Sequence, residues 1–201
     1  MTRGSQMALA LTAQALLAPG DTVAVEALGY RPAWEALRLA GARLVPIPVD
    51  AEGLCVDALE AVCARRKVRA VYVTPHHQYP TTALLSPGRR MQLRALARRH
   101  RMAVLEDDYD HEFHYDARPV LPLASDDDDA QVVYLGTLSK VLAPGVRVGF
   151  VAAPTPLLAR ITALRFFADR QGDLGIERAL AELLEDGTLA RHVRTMRGVY
   201  R

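Results

Sequence analysis

Short apolar runs rich in β-branched and aromatic residues alternate along this chain with stretches of helical pattern, and few folds accept that alternation. The runs are TVAVEA (22–27), ARLVPIPV (42–49), VRAVYVTP (68–75), MAVLEDD (102–108), QVVYLGT (131–137) and RVGFVAA (147–153). Helical patterns lie around and between them, at about 5–18, 32–40, 55–66, 87–101, 155–169 and 175–200. Ser86-Pro87 opens one of these helices with proline at its first position, and Gly41 closes another. Strands separated by helices of this length argue an α/β fold, a mainly parallel sheet covered by helices on both faces. Prolines 46 and 48 suit a strand at the sheet edge.

The chain of 201 residues, half of them hydrophobic and 24% charged, is long enough for one large domain with its own core. A net charge of +2 does not call for a nucleic-acid partner. The arginine-rich stretch 89–101 carries Met91, Leu93, Leu96 and Ala97 as an apolar stripe, so it reads as a crossover helix with a solvated basic face. The acidic run 125–130 reads as a solvated loop. Cys55 and Cys63 stand too far apart along one helix for a disulfide, which fits a reducing cytoplasm. No apolar run approaches the length of a membrane span. Helical pattern begins almost at residue 1 and is still running at the end, so residues 1–201 are expected to be a fragment of a longer protein.

In parallel sheets, ligands bind beyond the carboxyl ends of the strands. Those ends deliver TPHHQYPTT (74–82), EDDYDHEF (106–113) and GTLSK (136–140). The third holds Lys140, and Lys67 is the only other lysine among 25 Lys and Arg. Lysine, unlike arginine, can shed its proton and attack a carbonyl, so a strand-end lysine can hold an aldehyde cofactor as a Schiff base. Pyridoxal phosphate needs in addition a phosphate cradle, a carboxylate for its pyridine nitrogen and a flat partner for its ring. Gly4, Ser5 and Gln6 open the first helix, where free N–H groups favour a phosphate. Thr137, Ser139 and Arg147 flank the lysine, Asp107 could face the nitrogen, and Tyr30 could stack on the ring. Each has an ordinary alternative: a solvated lysine, a helix cap, a core tyrosine. Their common address is what counts.

A metal reading of His76, His77, Asp107, Asp108, Asp110, His111 and His114 finds no tight zinc spacing in a stretch that reads as irregular or extended, so no metal site is expected.

Taken in order, GSQ, PGD, Tyr30, HQYPT, EDDYDHEF, GTLSK and GVRVG resemble the large domain of fold-type I pyridoxal-phosphate enzymes, the class I/II aminotransferases. HQYPT, EDDYDHEF and LGTLSKVLAPGVRVG are most similar to the aminotransferase-like domain of MocR-type regulators of the GntR family. That resemblance implies Lys140 as the Schiff-base lysine, Asp107 as the pyridine-nitrogen partner and Arg147 as a phosphate ligand. It places Tyr109 near the cofactor's phenolic oxygen and Tyr30 against the ring. Tyr79 stands where aminotransferases commonly carry an asparagine, a replacement typical of the MocR-type branch. Thr82 stands where a glycine is usual, which would strain the turn if the backbone there has positive φ. The resemblance further implies a homodimer, an amino acid or related amine as effector or substrate, and DNA contact only through a winged helix-turn-helix outside residues 1–201. A small C-terminal domain, which carries the arginine for a substrate carboxylate, would lie outside them too. The implied function is the cofactor- and effector-sensing part of a regulator; the alternative is an aminotransferase acting between an amino acid and a 2-oxo acid.

Overall fold

The structure is a computed structural model that describes residues 1–113, 120–126 and 130–200, without the side chain of Asp126. His114 and part of the acidic run 125–130 lie outside the described residues.

The order of elements is α1 (Ser5–Leu16), β1 (Thr22–Glu26), α2 (Arg31–Leu39), β2 (Arg43–Ile47), β3 (Val49–Asp50), β4 (Gly53–Leu54), α3 (Val56–Cys63), β5 (Ala70–Val73), α4 (Pro87–His100), β6 (Ala103–Asp108), β7 (Val132–Thr137), β8 (Gly149–Ala152), α5 (Thr155–Asp169), α6 (Leu174–Glu185) and α7 (Thr188–Tyr200). Six strands form one sheet in the order β2-β1-β5-β6-β7-β8, parallel except that β8 runs antiparallel to β7. The small β3–β4 hairpin stands apart. The expected α/β architecture is therefore present, with one antiparallel edge.

Strand alternation decides what faces what. Ala24, Val71, Val73, Val104 and Val132 pack on the side of α3 and α4, with Leu59, Leu93 and Leu96. Val23, Val25, Tyr72, Leu105, Val133 and Leu135 face the other way, onto α1 and α2 with Leu9 and Leu37. Strand β5 is buried along its whole length, which is why VRAVYVTP reads as a continuous apolar run. The chain steps outward from β1 to β2 and then returns to place β5 on the other side of β1. That reversal puts a crevice between the ends of β1 and β5.

Two expectations need correction. Helix α4 buries Leu93, Leu96 and Ala97, but Met91 is 71% exposed and Arg90 takes the inner place, donating to the Leu121 carbonyl. The helix expected at 175–200 is two helices. Gly187, at φ +72°, ends α6, and the Asp186 carboxylate accepts from the Thr188 N–H at 2.7 Å to cap α7. Cys55 and Cys63 flank α3 as free thiols. Among the described residues no helix is long and apolar enough to cross a membrane.

Candidate functional site

A cavity of about 240 Å³ opens at the carboxyl ends of β5, β6 and β7, and Lys140 is in its wall. Three residues past β7, Lys140 is exposed, on a turn held by Leu138 N–H to the Val148 carbonyl (2.9 Å) and Leu142 N–H to the Leu138 carbonyl (3.0 Å). Thr137, at the end of β7, is buried; its Oγ1 accepts from the Ser139 N–H at 3.2 Å. Ser139 Oγ is buried with no hydrogen-bond partner among the described residues.

Asp107 also lines the cavity. It shares the face of Leu105 by strand alternation, while Asp108 turns to the other face. Tyr72 on β5 donates its phenol to Asp107 Oδ2 at 2.6 Å, and Oδ1 is buried without a hydrogen-bond partner among the described residues. Burial raises the Asp107 carboxyl from 3.8 to about 6, against the lowering effect of the Tyr72 bond. An unpartnered carboxylate oxygen at the floor of a cavity is suited to a protonated ring nitrogen.

The first turn of α1 closes one side. Ala8 N–H bonds the Gly4 carbonyl, so the Ser5 and Gln6 N–H groups ahead of it have no place in the helical ladder. Two glycines permit the approach. A Cβ on Gly149 would stand 2.5 Å from the Gly4 carbonyl carbon and 2.7 Å from the Ser5 nitrogen. A Cβ on Gly4, whose φ is +80°, would stand 3.1 Å from the Arg147 guanidinium. Thr2 and Gly149 complete the join by exchanging backbone hydrogen bonds at 2.8 and 3.0 Å. Arg147 is thus held beside the helix start, its Nη2 donating to the Arg3 carbonyl at 3.3 Å.

Three tyrosines line the mouth. Tyr30 and Tyr79 meet edge to face with centroids 5.7 Å apart, and Tyr79 and Tyr109 with centroids 6.5 Å apart. Tyr109 donates its phenol to the His77 carbonyl at 3.0 Å. Tyr79 is set by a buried relay: its N–H donates to Thr74 Oγ1 (3.0 Å), which donates to Glu26 (2.8 Å). Burial pushes Glu26 up to about 7 even though Thr74 and Gln78 donate to it. Thr82 has φ +61°, so the strain foreseen for a threonine at that position is present.

Of the residues named from sequence, Ser5, Tyr30, Tyr79, Asp107, Tyr109, Thr137, Ser139, Lys140 and Arg147 line this one cavity. Gly4 stands behind Arg147 instead of in the wall. The Gln6 side chain turns away to donate to the Pro32 carbonyl at 2.9 Å, so only its backbone can serve the site. Tyr72, Thr74 and Pro144 also line the cavity and were not foreseen. The signal for Tyr72 was available: a phenol in the middle of a buried apolar strand needs a partner.

On the far face of β6 lies a second polar cluster. Asp108 Oδ2 is 3.0 Å from both His76 Nδ1 and His111 Nδ1 and accepts from the Tyr134 phenol at 2.9 Å. Burial alone would raise the Asp108 carboxyl, but the two imidazoles outweigh it and hold it below the usual carboxylate range. Sequence spacing could not reveal this cluster, because His76 follows β5 and the other two follow or end β6.

The cavity fits pyridoxal phosphate on observations of this structure: among the described residues, a buried carboxylate oxygen and a serine hydroxyl without partners line it, together with an arginine against a helix start. Comparison with known proteins agrees. The chain is 34% identical over 200 residues to the probable rhizopine catabolism regulatory protein MocR of Rhizobium meliloti, covering all of this chain and 40% of that one. It is 35% identical to the 2-aminoadipate transaminase of Thermus thermophilus, covering all of this chain and 51% of that one. Among solved structures, the multiple substrate aminotransferase of Thermococcus profundus superposes with a TM-score of 0.94 at 32% identity, over 99% of this chain and 51% of that one. The α-aminoadipate aminotransferase LysN of Thermus thermophilus, solved with N-(5'-phosphopyridoxyl)-L-leucine, superposes with a TM-score of 0.93 at 34% identity, over 99% of this chain and 52% of that one. The chain therefore spans about two fifths to one half of these relatives. The family described as aminotransferase class I and II matches residues 1–198, and the chain belongs to it.

Proposed function

We propose that this chain is the pyridoxal-phosphate-binding part of a MocR-type transcriptional regulator, in which the cofactor site senses an amino acid or related amine. The observation that carries the cofactor reading is the buried, unpartnered Oδ1 of Asp107 in a cavity that also holds Lys140. When bound, the cofactor supplies an aldehyde for an amine and an electron-withdrawing ring. Lys140 presents an amine beyond β7, and Asp107 would hold a proton on the ring nitrogen through a charge-assisted hydrogen bond. Ser5, Ser139, Thr137 and Arg147 would receive the phosphate, and the α1 first turn adds N–H groups to it. Tyr30 would lie against the ring, with Tyr109 and Tyr79 at the edge that bears the phenolic oxygen.

The regulator reading is supported by Tyr79 where an asparagine is common in aminotransferases, and by the regulators among the relatives, which include TauR of Rhodobacter capsulatus at 36% identity. The same fold in the transaminases supports a second reading, an enzyme moving an amino group between an amino acid and a 2-oxo acid. In either case a homodimer in the cytoplasm is proposed, with DNA reached in the regulator only through a domain outside this chain.

The test is spectroscopic. The purified chain with pyridoxal phosphate should show the visible absorbance of a lysine-linked cofactor, and borohydride should fix the cofactor on Lys140. Amino acids should then change that absorbance without sustained turnover. Steady-state transamination at ordinary enzymatic rates would instead establish the enzyme, and reduced cofactor on Lys67 would overturn the site.

A further inference from the structure

We propose that His192 on α7 is a positioning residue for Lys140: through the Val141 carbonyl it holds the turn that carries the lysine into the cavity wall. That role rests on the cofactor reading of Lys140; the contact itself does not.

The two arms of the turn are held differently. Upstream of the lysine, the Leu138 N–H bonds the Val148 carbonyl at 2.9 Å and the Ser139 N–H bonds Thr137 Oγ1 at 3.2 Å. That arm is pinned to β7 and to the entry of β8. Downstream, the Leu142 N–H turns back to the Leu138 carbonyl at 3.0 Å, a bond internal to the turn. This arm is tied to the rest of the fold at Val141. Val141 is 3% exposed, so its carbonyl has little access to water and needs a donor from the protein. His192 Nε2, 51 positions later in the chain and 3.0 Å away, supplies it. A carbonyl can only accept, so Nε2 carries a proton. The neutral ring protonated there and the imidazolium both meet that condition, so the tie does not depend on charge.

Helix geometry delivers the imidazole. Leu189, His192, Val193 and Met196 are buried or half-buried and follow the spacing of one helix face. A histidine inside that otherwise apolar stripe faces the body of the protein, and the Val141 carbonyl is the acceptor it meets. Among these four only Leu189 is fully buried, so the helix rests lightly on the domain. The same helix reaches a second segment: the Tyr200 ring meets Phe113, just past β6, edge to face with centroids 5.5 Å apart. Helix α7 therefore touches the segments that follow both β7 and β6, the strands that deliver Lys140 and Asp107 to the cavity. Order in α7 and order in the lysine turn rise and fall together.

The first test needs no cofactor. Amide hydrogen exchange at Leu138 and Leu142 is compared in the parent, in His192→Phe, which keeps a ring and loses the donor, and in His192→Gln, which keeps an N–H at similar reach. A neutral hydrogen bond shifts an opening equilibrium by about threefold to tenfold, so His192→Phe should speed exchange at Leu142 by that factor. His192→Gln should restore most of the protection. The second test adds pyridoxal phosphate. His192→Phe should need about threefold to tenfold more of it to reach half of the visible band on Lys140, and His192→Gln should recover the parent value. Unchanged exchange in β5 and β6 would show that both variants are folded. Equal exchange at the turn in all three proteins overturns the proposal, as does His192→Gln behaving like His192→Phe, which would leave the donor without a role. A loosened turn with unchanged cofactor affinity would make His192 a structural contact only and overturn its positioning role. Nitrogen-15 spectra of the parent showing His192 protonated on Nδ1 alone would overturn the proposal without any variant. A parent that forms no band counts against the cofactor reading and not against the contact, which the exchange data decide.

Discussion

Asp107→Asn should make the cofactor-free protein more stable and its hold on pyridoxal phosphate weaker. In the folded chain, burial raises the Asp107 carboxyl from 3.8 to about 6. Keeping it ionised in the fold at pH 8 thus costs ~3 kcal/mol relative to the unfolded chain, at about 1.4 kcal/mol per tenfold in proton affinity. The sign follows from proton counts. Between about pH 4 and 6 the folded state holds the proton that the unfolded state has lost, so stability falls as pH rises through that window, and the full penalty stands above it. Asparagine keeps the shape, still accepts from Tyr72 and carries no charge. Urea denaturation at pH 8, with chelator present, should therefore show the variant more stable by up to ~3 kcal/mol, and the gap should close toward pH 4. Cofactor binding should move the opposite way. Loss of a charge-assisted hydrogen bond worth about 1.5–3 kcal/mol weakens binding by roughly tenfold to a hundredfold. A variant less stable than the parent at pH 8, or a gain that ignores pH, would refute the account of a carboxylate held for a cationic ligand at the expense of the fold.

Three further outcomes are expected. Lys140→Ala should abolish both the visible cofactor band and borohydride incorporation, as read by absorbance and peptide mapping. Gly149→Ala should drive the start of α1 off β8, because its new Cβ would stand 2.5 Å from the Gly4 carbonyl carbon; a loss of about 1–3 kcal/mol in urea melts and weaker binding of inorganic phosphate should follow together. Thr82→Gly should stabilise the chain by ~1 kcal/mol, since it removes a β-branched residue from a left-handed backbone position, and the thermal midpoint should rise.

The sheet was legible because each buried strand is a compact apolar run and each crossover begins or ends on a proline or glycine. The cavity was legible for the same reason: strand ends are where the apolar pattern stops, so Asp107, Tyr109 and Lys140 announce themselves by position. Contacts between elements distant in sequence were not legible. Tyr72 bonds Asp107 across 35 positions, and His76 reaches Asp108 only because β5 and β6 are neighbours in the sheet. The break at Gly187 was missed for a different reason. The apolar spacing of α6 and α7 is alike, and a single glycine in a helical pattern does not say whether its φ is positive. Met91 shows the limit of periodicity on an arginine-rich helix, where a guanidinium with a carbonyl partner displaces an apolar residue from the inner face.

The join between Thr2 and Gly149 has a consequence for biosynthesis. A ribosome releases α1 well before β8, yet the two backbone hydrogen bonds that seat its first turn come from a residue made 147 positions later. Closing so long a loop is slow compared with helix formation. During translation, the groups that would receive a phosphate therefore stay apart until the antiparallel edge strand has emerged and paired. A nascent chain arrested before β8 would have strands β1 to β7 and Lys140, but no cradle. Cofactor capture should accordingly be a late event, confined to chains that have already closed the far edge of the sheet.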